Sequence, residues 1–168
     1  ELISIGEYAF SDSSIEEFNI PQFVEELQDG WCCYTKFLNN ISLSPLNKNF
    51  AFIDDDQKII AGKTNLKSDD YDVITFACRN INNLLIPSNI KIIGCFAFFG
   101  CYNIKTVEFM ENSELQYIDK YAFSDSSIEF INLPANIDKI GVGAFTRCSN
   151  LKSVQFPSNI PNLTFSKN

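Results

Sequence analysis

Between Ile93 and Pro157 one motif is written three times: IGCFAFFGCYNIKTVEF, IDKYAFSDSSIEFINLP and IGVGAFTRCSNLKSVQFP. The copies run I-G-x-x-A-F, with Asp119 for Gly in the second, then a small polar turn, then L/I-x-x-I/V-x-F/L, usually closed by Pro. A repeat this short cannot bury its own apolar face, so copies must stack into a solenoid. That requirement constrains the chain more than any other feature. The first winding, Ile5 to Pro21, repeats the pattern of Ile118 to Pro134, including a shared AFSDSSIE.

The strand anchors recur at Ile15, Leu38, Ile81, Ile104, Ile128 and Leu151, in steps of 23, 43, 23, 24 and 23 residues. Apolar residues follow each anchor at +3 and +5, from Phe18 and Ile20 to Val154 and Phe156. A spacing of two is strand periodicity, so those residues share the inward face. Pro at +6 lacks an amide proton and ends the strand. Trp31-Cys32 stands where the other windings have Ala-Phe, which makes 27–45 a decayed second winding.

The step of 43 encloses an enlarged winding over 44–72. Its apolar runs Phe50–Ile53 and Ile59–Ala61 flank Asp54-Asp55-Asp56-Gln57, which predicts a β-hairpin. Its second arm is assigned to the parallel sheet, making seven strands. Residues 62–72 are strongly polar and predict an exposed loop. The reused phenylalanines Phe10, Phe98, Phe123 and Phe145 predict a stacked aromatic column, and Gly6, Gly94 and Gly141 predict turns that side chains resist. About seven windings of ~23 residues follow, as a single domain over 1–168 that reads as a piece of a longer solenoid. A closed parallel β-helix is the alternative fold, but it needs strands on three faces.

The net charge of −8 repels phosphate backbones and anionic lipid, so neither nucleic acid nor a membrane surface is an expected partner. The absence of His removes the commonest acid–base group and metal ligand. No Gly-rich phosphate loop or G-x-S-x-G motif occurs, so no catalytic residue is expected, nor any cofactor. Cys32-Cys33 lacks metal-site spacing. Cys78, Cys101 and Cys148 precede their anchors by three residues, a place read as held by Asp12 and Asp125 in the shorter windings. They are expected as small core residues, although Cys78 and Cys101 sit in adjacent windings where a bridge is geometrically allowed. The Asp54–Asp56 and Asp69, Asp70, Asp72 clusters lack the calcium-loop pattern and read as solvated turns. Asn40-Ile-Ser and Asn162-Leu-Thr match the glycosylation sequon.

With +3 and +5 inward, +2 and +4 point outward. The outward set is Glu17, Asn19, Asn40, Ser42, Asn83, Leu85, Thr106, Glu108, Phe130, Asn132, Ser153 and Gln155, with Ile60 of the hairpin as a further member. Polar uncharged types dominate, and Leu85 and Phe130 are the apolar exceptions. All but Ser42, Ser153 and Ile60 are taken as candidate partner-binding residues, because the sheet face is the usual contact surface of a solenoid.

The full sentence I-G-x-x-A-F-x-x-C-x-x-L-x-x-I-x-I/F-P resembles the BspA-like, Treponema pallidum-type leucine-rich repeat. Ile140 to Pro157 matches it throughout, and Ile93 to Phe109 matches up to the missing Pro. The enlarged winding resembles the form found in protist surface antigens. The resemblance implies a leucine-rich repeat solenoid with one parallel sheet on the concave side and short strands or 3₁₀ turns opposite. It implies a non-catalytic cell-surface module that binds a host-cell or matrix protein, attached to a membrane through segments outside this chain. An intracellular leucine-rich repeat scaffold is the alternative.

Overall fold

The computed structural model describes residues 1–158 and the backbone of the strand Thr164–Phe165. The chain winds as a β-solenoid of parallel strands, with no helix among the described residues. Each regular winding contributes two strands, one to each of two walls. The first wall holds the longer strands Glu17–Ile20, Asn40–Leu43, Leu84–Ile86, Thr106–Phe109, Phe130–Asn132 and Ser153–Gln155. The second holds two-residue strands at the I-G step, such as Ile92–Ile93, Tyr117–Ile118 and Lys139–Ile140. Two strand sets per winding, rather than three, set this chain apart from a triangular β-helix.

Stacking is in register. Val107 pairs with Leu84 and Ile131, and Ile131 with Val154. The anchors Leu38, Ile81, Ile104 and Ile128 and the +3 residues Ile41, Leu84, Val107 and Ile131 are buried. Phe156, expected inward, is 43% exposed. Phe98 stacks on Phe123 at 5.0 Å and Phe123 on Phe145 at 5.5 Å, with their planes within 5°. Phe10 lies outside this column and packs against Phe18 and Trp31 instead. At the corners the P-x-N tripeptides tie windings together: the Asn47 amide donates to the Pro21 carbonyl and the Asn136 amide to the Ser113 carbonyl.

The enlarged winding departs from expectation. Ile59–Gly62 pairs antiparallel with Ala51–Phe52 and again antiparallel with Val73–Ala77. A tight turn can join only antiparallel arms, so the second arm does not enter the first wall. It joins the second wall instead, between the first arm at the edge and Val73–Ala77, which hands over to the parallel stack through Ile92–Ile93. The first wall therefore has six described strands, not seven, and divides into a two-stranded and a four-stranded sheet. Ile59–Gly62 is buried along its whole length. Ile59 and Ala61 join one apolar cluster and Ile60 the other, so Ile60 is a core residue and not part of the outward face.

Three smaller expectations also change. Gly6, Gly94 and Gly141 are not at positive φ. Glycine is needed at 94 and 141 because a Cβ there would stand 2.7 Å from the Ile74 carbonyl oxygen and 2.6 Å from the Lys120 nitrogen. Apart from Gln57 and Asn112, the left-handed residues lie two places later and four residues after that: Tyr8 and Asp12, Gly30 and Tyr34, Phe96 and Gly100, Tyr121 and Asp125, Gly143 and Arg147. Cys101 and Cys148 fall one place after the second of these. Their amides bond back to Phe98 and Phe145 as those of Ser13 and Ser126 bond back to Phe10 and Phe123. Their counterparts are thus Ser13 and Ser126, not Asp12 and Asp125. Finally, Asp72 is buried rather than solvated. It accepts bonds from the Thr64 amide at 2.8 Å, the Thr64 hydroxyl at 2.7 Å and the Lys91 ammonium at 3.3 Å, which staples the ends of the polar loop.

Candidate functional site

The pleat that sends Leu84, Ile86, Val107 and Ile131 inward turns their neighbours outward. Leu85, Thr106, Glu108, Phe130, Asn132 and Gln155 are all exposed on the four-stranded sheet. Register sets them in two files: Thr106, Phe130 and Ser153 in one, and Leu85 with Glu108 and Asn132 with Gln155 in the other. Asn83, exposed, precedes the strand Leu84–Ile86. Glu17, Asn19 and Asn40 are exposed as well, but on the separate two-stranded sheet. There the Asn19 amide donates to the Ser42 hydroxyl at 2.7 Å, closing part of that patch on itself. The ten candidate residues thus form two groups, divided by the hairpin.

The four-stranded group carries the apolar surface. Leu85 is 49% exposed and Phe130 44%. Lys152 lies over the Phe130 ring at 5.4 Å and pairs with Glu129, which steadies one flank. Met110, also 44% exposed, was missed from the sequence. Its signal was present: it stands where the other windings place the strand-ending Pro. Met110 borders a cleft of about 490 Å³ shared by Leu85 and the Asp54–Asp56 turn. On its other side a cleft of about 670 Å³ is lined by Glu108, Asn112 and Asn132.

Among the outward candidate residues the carboxylates are Glu17 and Glu108, and they lie on different sheets. All six cysteines are free thiols in the structure, and Cys101 Sγ lies 3.8 Å from the Cys78 carbonyl oxygen. Burial pushes the Cys32 thiol up to about 12 and those of Cys78 and Cys101 to about 11, despite the nearby Arg79 guanidinium. Such thiols stay protonated at neutral pH and are poor nucleophiles. Among the described residues no cluster of carboxylates or thiols could hold a metal ion, and no helix is long and apolar enough to cross a membrane. Asn40 is exposed, whereas Asn162 lies outside the described residues.

The model of the BspA-type leucine-rich repeat region matches residues 1–59 and 73–167 in six copies. The chain belongs to this family. The matched stretches leave out 60–72, where the hairpin and polar loop break the repeat. Among solved structures, the chain is similar to a leucine-rich repeat protein from Eubacterium ventriosum, with 22% identity and a TM-score of 0.74 over 92% of this chain and 39% of the other. A leucine-rich cell surface protein from Faecalibacterium prausnitzii matches at 16% identity and a TM-score of 0.53, covering 94% and 52%. The pneumococcal vaccine antigen PcpA matches at 17% identity and a TM-score of 0.50, covering 94% and 36%. At these identities the likeness is one of fold, and the chain spans little more than half of the Faecalibacterium protein and less of the other two. No curated protein matches the chain.

Proposed function

We propose that this chain is a non-catalytic recognition module of the cell surface that binds a protein partner through its four-stranded sheet. The observation that carries the reading is the exposure of Leu85, Phe130 and Met110 on and beside the four-stranded sheet, whose other outward residues are uncharged apart from Glu108. Apolar anchors within a polar, weakly charged surround are what protein interfaces select. Family membership supports the reading, as does likeness in fold to a bacterial cell surface protein. The partner class that fits is a host-cell or matrix protein, and the net charge of −8 disfavours nucleic acid.

The test compares wild type with Phe130→Ser and Leu85→Ser on immobilised fibronectin, laminin and collagen and on cultured epithelial cells. Wild type is expected to be retained on at least one, and each variant to lose about tenfold in affinity. Equal retention of wild type and variants, or no retention of wild type, overturns the reading. The six free thiols, five of them buried, favour a second reading, a scaffold working inside a reducing compartment. A glycan on Asn40 of the native protein excludes it.

A further inference from the structure

A second exposed surface lies away from both walls, on the turns that carry the left-handed residues. Tyr8, Tyr34, Phe96, Tyr121, Asp125 and Arg147 line a cleft of about 360 Å³, and all six are at positive φ. Rings in this conformation are unfavourable, and the cost is tolerated where the side chain is needed. The chain shows what its backbone prefers: Gly30, Gly100 and Gly143 hold the same places in other windings. Packing accounts for part of the choice. Tyr8 covers Gly30, while Tyr121 covers Gly143 and stacks on Phe96 at 5.1 Å. It does not account for the ring surface left in water, because Tyr8 is 52% exposed and Tyr34 42%.

The polar end of the cleft narrows the choice of ligand. Arg147 reaches Asp125 Oδ2 at 3.7 Å, and the Ser124 hydroxyl donates to the same oxygen at 3.3 Å. The carboxylate is therefore balanced within the cleft, and a cationic segment finds no free charge there. An anionic ligand meets a chain of net charge −8. Ring surface, phenol hydroxyls and a neutralised ion pair suit an uncharged ligand that offers C–H faces and many hydroxyls. A carbohydrate ring has this character: its C–H groups carry the partial positive charge that aromatic faces attract, and its hydroxyls donate to and accept from Asp and Arg. We propose that this cleft binds a neutral saccharide, with the sugar against Tyr8 and Tyr34 and its hydroxyls on Asp125 and Arg147. The site is independent of the sheet face.

Affinity electrophoresis through gels holding starch, laminarin or galactomannan tests the proposal. The variants are Tyr8→Gly, Tyr34→Gly and their double, with Phe130→Ser on the four-stranded sheet. Glycine is the chain's own alternative at both places, so the fold is expected to persist, and thermal melting checks it. Wild type should be retarded by at least one polymer, and each lost ring should weaken binding about two- to tenfold. Arg147→Gly, on the exposed rim, should weaken it even if a tyrosine variant fails to fold. Phe130→Ser should bind as wild type. The proposal is overturned if no polymer retards the chain, if the double variant and Arg147→Gly bind unchanged, or if Phe130→Ser loses binding equally. Capture of a proline-rich peptide by the cleft without any polysaccharide would also overturn it.

Discussion

Glycines that look alike in the motif have different work to do. At Gly94 and Gly141 a methyl group would press on the backbone of the preceding winding, whereas at Gly6 the nearest atom is 3.8 Å away on the Gln28 side chain. Gly94→Ala and Gly141→Ala should therefore each cost about 1–3 kcal/mol, the usual penalty for overpacking, while Gly6→Ala should be neutral. Urea unfolding measures the contrast, and equal effects at Gly6 and Gly94 would refute the steric account. The sequence marked these positions but not the reason, because a close approach and a left-handed turn both ask for Gly. Asp72 hid in the same way. Its neighbours Asp69 and Asp70 are exposed, and no periodicity marks one acid of three as buried. Burial alone would raise its pKa, but the bonds from Thr64 and Lys91 prevail and hold it below the usual 3.8. A depressed folded pKa adds stability above the unfolded value and loses it as pH falls through the folded one. Wild type should thus weaken as acid passes below about pH 4, and Asp72→Asn should flatten that part of the profile. Thermal melting from pH 6 to about pH 2 reads both.

At the level of the winding, the order of large and small residues decides where the chain can bend from its pattern. The Phe98 amide bonds to the Ala122 carbonyl, and the Ala77 amide bonds in the same way to Ala97. Ala77 therefore holds a phenylalanine's place, and Phe76 an alanine's. Trp31-Cys32 is inverted likewise, since the Phe10 amide bonds to the Trp31 carbonyl. The two inversions face each other: Trp31 meets Phe76 at 5.6 Å, and the small Cys32 and Ala77 leave room that Arg79 fills. The guanidinium is buried, donates to the carbonyls of Thr35, Ala77 and Cys32, and lies over Phe76 at 4.9 Å and Phe99 at 5.9 Å. A compact ammonium can neither bond three divergent carbonyls nor lie flat between rings. Arg79→Lys should cost at least about 2 kcal/mol in urea unfolding, and a cost below about 0.5 would show that charge alone suffices. The regular strands were legible because their inward pairs recur at +3 and +5. The hairpin was legible as two paired arms, but not the second arm's other neighbour, since an apolar run does not name the strand beside it. The same limit applied to the outward face. Leu85 and Phe130 followed from the pleat, while Ile60 was placed outside although its strand is buried on both faces.

Across the whole molecule, the buried residues form two main clusters that meet at the enlarged winding. One holds Ile5, Ile20, Trp31, Leu38 and Phe76, and the other holds Ile74, Phe98, Phe123, Ile131 and Ile140. The strand Ile59–Gly62 is the wall between them, with Ile60 on one side and Ile59 and Ala61 on the other. In a solenoid each winding contacts only its neighbours, so a defect spreads as far as coupling across each junction carries it. Stacked phenylalanines couple the later windings tightly. Across the wall, inverted pairs and one arginine replace the column, and the first wall is cut. A cavity at the centre of the later stack should then be felt on one side. Phe123→Ala should lower overall stability by about 3–5 kcal/mol. Native-state hydrogen exchange should show amides of residues 81–151 exchanging faster while those of 15–45 keep wild-type rates. If exchange rises equally on both sides, the wall transmits as well as the column does, and the solenoid is one cooperative unit.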